Sequence, residues 1–234
     1  MLEITIRRTS LVRVLTVIVF CLLLLHVGQL WVYYSIADPQ VFDFVDLLDF
    51  DVEGNLPTLY SSLALLLAAA LVGVAWKRSC YLKDSNSANW LVLCIIFVFL
   101  SLDEGAAIHE KIGIYVQSLH LFKAEGVLNF AWVVPYSLLT FLFVVSYLKF
   151  LFRLPSNTRN GLVLSGVVFI LGALGIEMIS ARVAWLEGLV SLRYSILYTI
   201  EETFEMLGVI LFISVMMRHL SNGSDSVRIV LSGR

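Results

Sequence analysis

The chain of 234 residues is 59% hydrophobic and 15% charged, with a formal net charge of −2. A soluble domain carries roughly 45–50% apolar and about 25% charged residues, so the balance excludes a soluble globular class and predicts a membrane protein. Cys21 and Cys94 fall inside apolar runs and Cys80 in a loop, which excludes a disulfide framework.

Six apolar runs have the roughly 20-residue length that crosses a ~30 Å hydrocarbon core at 1.5 Å per residue. They lie at about 14–36, 57–76, 89–110, 128–150, 161–184 and 194–217. The expected fold class is all-α: a polytopic, six-transmembrane-helix bundle forming one domain over 1–220, followed by a mobile cytoplasmic tail over 221–234. With the N-terminus inside, all 16 Lys and Arg fall on the cytoplasmic side except Lys111, Lys123, Arg182 and Arg193. Basic residues concentrate in cytoplasmic loops, so both termini are expected in the cytoplasm and, in a bacterial source, the protein in the inner membrane. These basic residues are dispersed over several segments, and nothing points to nucleic acid. The lipid bilayer is the expected partner, with a membrane-protein partner or a second copy as further candidates.

The first run follows Arg7, Arg8 and Arg13, and Ser35-Ile36-Ala37 loosely resembles a signal-peptide cleavage site. Its length, and the crowding of that place by Trp31, Tyr33 and Tyr34, favour a retained span. His26, Gln29 and Tyr33 share one of its faces. Residues 41–49, VFDFVDLLD, set Asp43, Asp46 and Asp49 against Phe44, Val45 and Leu48, the pattern of a short interfacial helix. Asp49, Asp51, Glu53 and Gly54 match the first half of a calcium loop, but Tyr60 stands where a bidentate glutamate belongs. The simpler reading is an acidic outer loop, with Asn55 or Thr58 capping the second helix and Pro57 in its first turn. From that loop Glu53 would hang over the outer end of the bundle.

The third run ends in DEGAAIHEK. On a regular helix Asp103, Glu104, Ala107, Glu110 and Lys111 occupy an arc of about 120°, and His109 lies about 100° outside it. A π-bulge at Gly105 would bring Glu104 and His109 onto one face. In the fourth run Asn129, Tyr136, Thr140 and Tyr147 share a face, and Pro135 allows a kink. Glu177 of the fifth run sits with Ala173, Ser180, Ala181 and Ala184, small residues that let helices approach closely. In the sixth, Glu201, Glu202, Glu205, Tyr194 and Tyr198 form one polar stripe at the outer end.

Counting along the helices from the cytoplasmic side places Glu104 and Glu177 roughly 22 to 24 Å deep, and Glu201 roughly 10 Å below the outer surface. Three separate spans thus bring acids to one level in the outer third of the membrane. An ionised acid at bilayer depth costs about 2.5 to 3.5 kcal/mol, and the cations at that level are Arg182, Lys111 and Arg193. The carboxyls are therefore protonated, open to a watery cavity or bound to a metal. Each outcome implies a function. A metal-binding membrane enzyme would use Glu104, His109, Glu177, Glu201 and Glu205 as ligands for Fe, Mn or Zn, with His26 as an extra imidazole. Its catalytic candidates are Asp103, Glu104, Glu110, Glu202 and Arg182. A proton- or cation-coupled transporter would protonate Glu177, Glu201 and Glu205 in turn. A structural or assembly subunit would use the same groups to fix helix register. Glu-x-x-His and His-x-x-x-His pairs, nucleotide-binding glycine motifs and a Ser-His-Asp arrangement are all missing.

Overall fold

The computed structural model describes residues 2–35 and 46–231. The expected interfacial helix over 41–49 lies largely outside them; of its residues, those from Asp46 onward form a turn. Apart from one two-stranded ribbon, the regular elements are helical. Helix α1 runs Arg8–Ser35, α2 Leu56–Tyr81, α3 Ser87–Ala106, the short α4 Ile108–Ser118, α5 Val133–Arg153, α6 Ser156–Ile170, α7 Glu177–Glu187 and α8 Leu192–Leu220. Five helical stretches are long and apolar enough to cross a membrane: α1, α2, α3, α5 and the continuous rod Ser156–Glu187 that joins α6 to α7. The remaining long helix, α8, carries Glu201, Glu202 and Glu205 in its first half and is the central post of the bundle. Its residues Tyr194, Tyr198, Glu201, Met206, Ile213, Met216 and Met217 are all buried, and it packs against α1, α2, α6 and α7.

Lipid tails are as apolar as leucine, so burial by itself does not hold such helices together; close packing does. At the α6–α8 crossing a Cβ on Gly208 would stand 2.8 Å from the backbone nitrogen of Phe169, and one on Gly172 2.8 Å from the carbonyl oxygen of Glu201. Hydrogen atoms at these two positions let the helix backbones nearly touch. Between α6 and α7 the rod loosens into a π-helical turn, Leu171–Ile176. The extra residue in that turn rotates α7 about the rod axis, so Glu177, Ser180, Ala181 and Ala184 all end up buried.

The termini pair with each other. Strand β1, Leu2–Arg7, runs antiparallel to β2, Ser226–Leu231, with Leu2 opposite Leu231 and Arg7 opposite Ser226. Asp225 locks the join, accepting from Thr9 Oγ1 at 2.6 Å and from Arg8 Nε at 3.3 Å. Those contacts hold its carboxyl below the usual range, the Thr9 hydrogen bond foremost. The tail expected to be mobile contains a paired strand over Ser226–Leu231. Its Ser and Gly residues lie where the chain turns at 221–225, and the β-favouring run begins only at Val227.

The outer loop folds inward for identifiable reasons. Asn55 caps α2, accepting from the Thr58 amide at 3.1 Å while its own amide donates to the carbonyls of Asp46 and Asp49. Fully buried His26 of α1 pins the same loop: its Nε2 lies 2.9 Å from Thr199 Oγ1, its Nδ1 3.2 Å from the Leu48 carbonyl, and its ring stacks on Phe50 at 4.3 Å. With both nitrogens occupied, His26 is a structural clasp and not the extra metal-binding imidazole expected from the sequence.

Candidate functional site

The third span stops earlier than its hydropathy suggests, and the reason is one residue. Ala107 adopts a left-handed conformation, φ 51° and ψ 45°, which costs an alanine about 1–2 kcal/mol. The chain turns there and α4 begins, so His109 and Glu110 belong to a separate short helix. Asp103, in the last turn of α3, compensates: its Oδ1 accepts the otherwise orphaned His109 amide at 2.7 Å and so caps α4. The π-bulge expected at Gly105 is replaced by this break. Gly105 instead marks a close approach, since a Cβ there would lie 3.3 Å from Ser62 Oγ.

The turn aims the imidazole of His109 back over α3. Its Nδ1 lies 3.3 Å from Asp103 Oδ1, its Nε2 lies 3.3 Å from Glu53 Oε1, and its ring meets Trp132 edge-on at 4.9 Å. Tyr136 of α5 donates to the other Asp103 oxygen at 3.0 Å. One oxygen of Glu53, Oε2, is buried without a partner. Glu53, His109 and Glu110 each offer a ligand atom, and these atoms lie within 4.8 Å of one another. His109 is the one expected ligand in that group; the sequence suggests Glu110 as an acid or base, and Glu53 as a loop residue above the cluster.

The other expected ligands are brought together deeper down. Ser180 Oγ lies 3.2 Å from both Glu177 Oε2 and Glu201 Oε2, so acids from the fifth and sixth runs do meet, across one hydroxyl. Glu104, Glu177, Glu201, Glu202 and Glu205 all line one cavity of about 910 Å³, and Asp51, Glu53, Asp103, His109 and Glu110 line its outer end. Asp51 is not among the site residues expected from the sequence; it receives a 2.6 Å hydrogen bond from Tyr194. The signal for it is the Asn55 cap, which fixes where the loop must fold. Among the described residues no Lys or Arg lines the cavity. Arg182, expected as counter-charge and catalytic group, is exposed and lies off the cavity wall, and Lys111 is exposed and donates to the carbonyl of Ala106. Among the described residues no ion pair reaches the five deep glutamates.

A family described as a domain of unknown function, DUF8692, matches residues 12–220. The chain belongs to that family. No curated protein and no solved structure matches the chain. The match covers the bundle from within α1 to the end of α8 and includes every residue of the acid-lined cavity.

At the outer mouth of the cavity, outside the spans, the pKa values of three groups are shifted. Burial lowers the His109 pKa, but the hydrogen bond and charge of Asp103, with the charges of Glu53 and Glu104, outweigh it and push it up to about 9. Burial raises Glu53 to about 7 against the pull of His109, and raises Asp51 to about 7 against the Tyr194 hydrogen bond. His109 therefore contributes stability that is complete below its unfolded value of 6.5 and disappears as pH passes 9. Asp51 and Glu53 cost nothing below about pH 4, and their penalty grows toward pH 7 and persists above it. All three act in one direction. Chelator-treated protein is expected to melt several degrees lower at pH 9 than at pH 5.5, at about 2–4 °C per kcal/mol for a chain of this size. Thermal scans of the Asp51→Asn, Glu53→Gln protein should show about half that slope; an unchanged slope would remove these groups as its cause.

Proposed function

We propose that this protein is a metal-binding membrane enzyme whose reacting centre lies at the outer mouth of the acid-lined cavity. The observation that carries the reading is the setting of His109. A carboxylate on Nδ1 orients the ring and turns Nε2 toward Glu53 and Glu110, the arrangement in which protein imidazoles bind metals. One imidazole and two carboxylates suit Zn, Fe or Mn, and three protein ligands leave a coordination position open to a reactant. Such an ion would supply a Lewis acid at the cavity mouth. Glu104 and Glu205, which line the same cavity, would serve there as proton donor or acceptor. Glu177, Glu201 and Glu202 extend the acidic wall inward.

The six-span topology belongs to the same proposal. Paired termini lie on one side of the bundle, which requires an even number of crossings; α8, of 29 residues, supplies the sixth to the five apolar stretches. Basic residues at that end support a cytoplasmic side and, in a bacterium, an inner-membrane location. The competing reading, a network that only holds helix register, draws on the elevated pKa of His109, since a charged imidazole between Asp103 and Glu53 is satisfied without metal.

Elemental analysis of protein purified in detergent without chelator decides between the two. The expected result is close to one equivalent of a transition metal, falling to about a tenth or less in His109→Ala and in the Glu53→Gln, Glu110→Gln double variant. Wild type holding under about a tenth of an equivalent of any transition metal would leave only the register network.

A further inference from the structure

The cavity behind the outer cluster is two-faced, and its shape says what it holds. Helix α5 is tied to the bundle near its ends: Tyr136 donates to Asp103 at the outer end, and at the inner end Tyr147 donates to the Asn89 carbonyl at 2.9 Å while Phe150 meets Trp90 edge-on. Between those ties α5 stands off its neighbours. Leu139, Phe143 and Val144 of α5 line this gap together with Phe97 and Leu100 of α3, Val163 and Val167 of α6, and Val209 and Phe212 of α8. On α8 the lining runs from Tyr194 to Phe212, a rise of about 27 Å, close to the ~30 Å of a bilayer core. The carboxyls occupy the outer part of the cavity, reaching on α8 as far as Glu205, about 16 Å in from Tyr194, and the part beyond is walled by apolar side chains and a few hydroxyls. The volume of about 910 Å³ is at the upper end of ordinary ligand sites, roughly 300–1,000 Å³.

We propose that this cleft takes up one long-chain amphiphile from the bilayer, its tail lying along α3, α5, α6 and α8 and its cationic, amine-bearing headgroup held at the carboxylate end. Charge complementarity selects the headgroup. Among the described residues nine carboxyl side chains line the cavity with His109 as their one basic neighbour, so a phosphate would meet like charge even beside a divalent ion, whereas an ammonium is attracted. The chain enters sideways, past the middle of α5, where Leu138, Phe141 and Leu142 already face the lipid. This deepens the reading of the outer cluster as the reacting end, on which the use made of the headgroup rests.

Gly166 of α6 provides the test. It lines the cavity, and a Cβ there would meet no atom within 4 Å. Gly166→Phe therefore fills the cleft without a backbone clash, and it exchanges glycine for a better helix former. Wild type, Gly166→Ala and Gly166→Phe are incubated with octadecylamine, octylamine or octadecyl phosphate, and bound lipid is counted by native mass spectrometry. Wild type should retain one octadecylamine per chain, about tenfold more than either of the other probes. Gly166→Phe should lose about tenfold in octadecylamine retention and Gly166→Ala less than about twofold. Equal retention of octadecyl phosphate overturns the proposal, and so does undiminished amine binding by Gly166→Phe. Metal content read on the same samples separates the two hypotheses. Metal kept while the amine is lost in Gly166→Phe assigns the loss to the cleft. Amine bound by a metal-free wild type removes the metal reading and leaves the cleft with its carboxylates.

Discussion

Asp103→Asn is expected to lower metal retention by about one to two orders of magnitude, the usual cost of removing the carboxylate behind a ligating imidazole. Asp103 is 5% exposed and accepts from the His109 amide, from His109 Nδ1 and from Tyr136 Oη, so both of its oxygens are committed. An asparagine has one oxygen to offer and must point an amide donor at one of those partners. With its oxygen toward His109 it keeps the cap and the Nδ1 contact but loses the negative charge behind the imidazole and points its amide at the Tyr136 hydroxyl. Turned the other way it leaves the His109 amide and Nδ1 without an acceptor, at about 1–3 kcal/mol for each buried donor, and α4 loses its cap and His109 its orientation. Elemental analysis and thermal unfolding of the variant read the two effects separately. Tyr136→Phe is the control: it removes one hydrogen bond at the far oxygen and should cost about 1 kcal/mol while leaving His109 aimed as before. An Asp103→Asn protein that keeps a full complement of metal would mean that Asp103 serves only as a helix cap.

The placing of this site is partly legible in the sequence. Helical counting puts Glu104, Glu177 and Glu201 at one depth, and they line one cavity; of the face assigned to Asn129, Tyr136, Thr140 and Tyr147, the last three line it, whereas Asn129 precedes α5 and does not. The small-residue face around Glu177 is buried, and Asn55 and Pro57 do begin α2. Periodicity carries such information because a membrane helix has one way to satisfy its backbone, so its register runs on without interruption. Interruptions are what it misses. Periodicity places the irregular turn needed to bring His109 round at Gly105, as a π-bulge; the chain uses a left-handed Ala107 instead, and its π-turn lies at Leu171–Ile176. Nothing in the residue type marks Ala107. Its conformation is enforced by the Asp103 carboxylate and by Trp132 packed against α4 at Gly113, contacts that helical periodicity does not encode.

Arg182 shows a different limit. Charge balance asks for a cation near the glutamates, and Arg182 has the right depth, yet it is exposed while its neighbour Ala181 is fully buried. The π-turn sets the rotation of α7, turning Glu177 and Ser180 inward and carrying Arg182 outward. A counter-charge inferred from depth alone ignores that rotation. With Arg182 turned outward, the deep carboxyls lack a cation among the described residues and are left with protonation, water or a group from outside the chain as their compensation.

Gly208→Leu is expected to abolish folded protein, and Gly208→Ala to destabilise it by about 1–3 kcal/mol, the cost of overpacking a tight contact. A Cβ at this position would lie 2.8 Å from the amide nitrogen and 2.9 Å from the Cα of Phe169. These are backbone atoms, with no side-chain end to swing aside, so α6 and α8 must move apart. On the same two helices a Cβ at Gly172 would lie 2.8 Å from the Glu201 carbonyl and 3.0 Å from Glu205 Cγ. Separation at Gly208 is therefore transmitted to the level at which Ser180 sits between Glu177 and Glu201. Thermal unfolding in detergent should rank Gly208→Ala well below wild type, with Gly166→Ala, on the open side of α6, at or slightly above it because alanine favours helix by about 1 kcal/mol over glycine. Both variants add one methyl group to the same helical layer, so composition and hydrophobicity cancel and the comparison isolates the contact. Equal stability of the two alanine variants would mean that α6 and α8 do not approach this closely, and the carboxyl pair at Ser180 would lose its support with them.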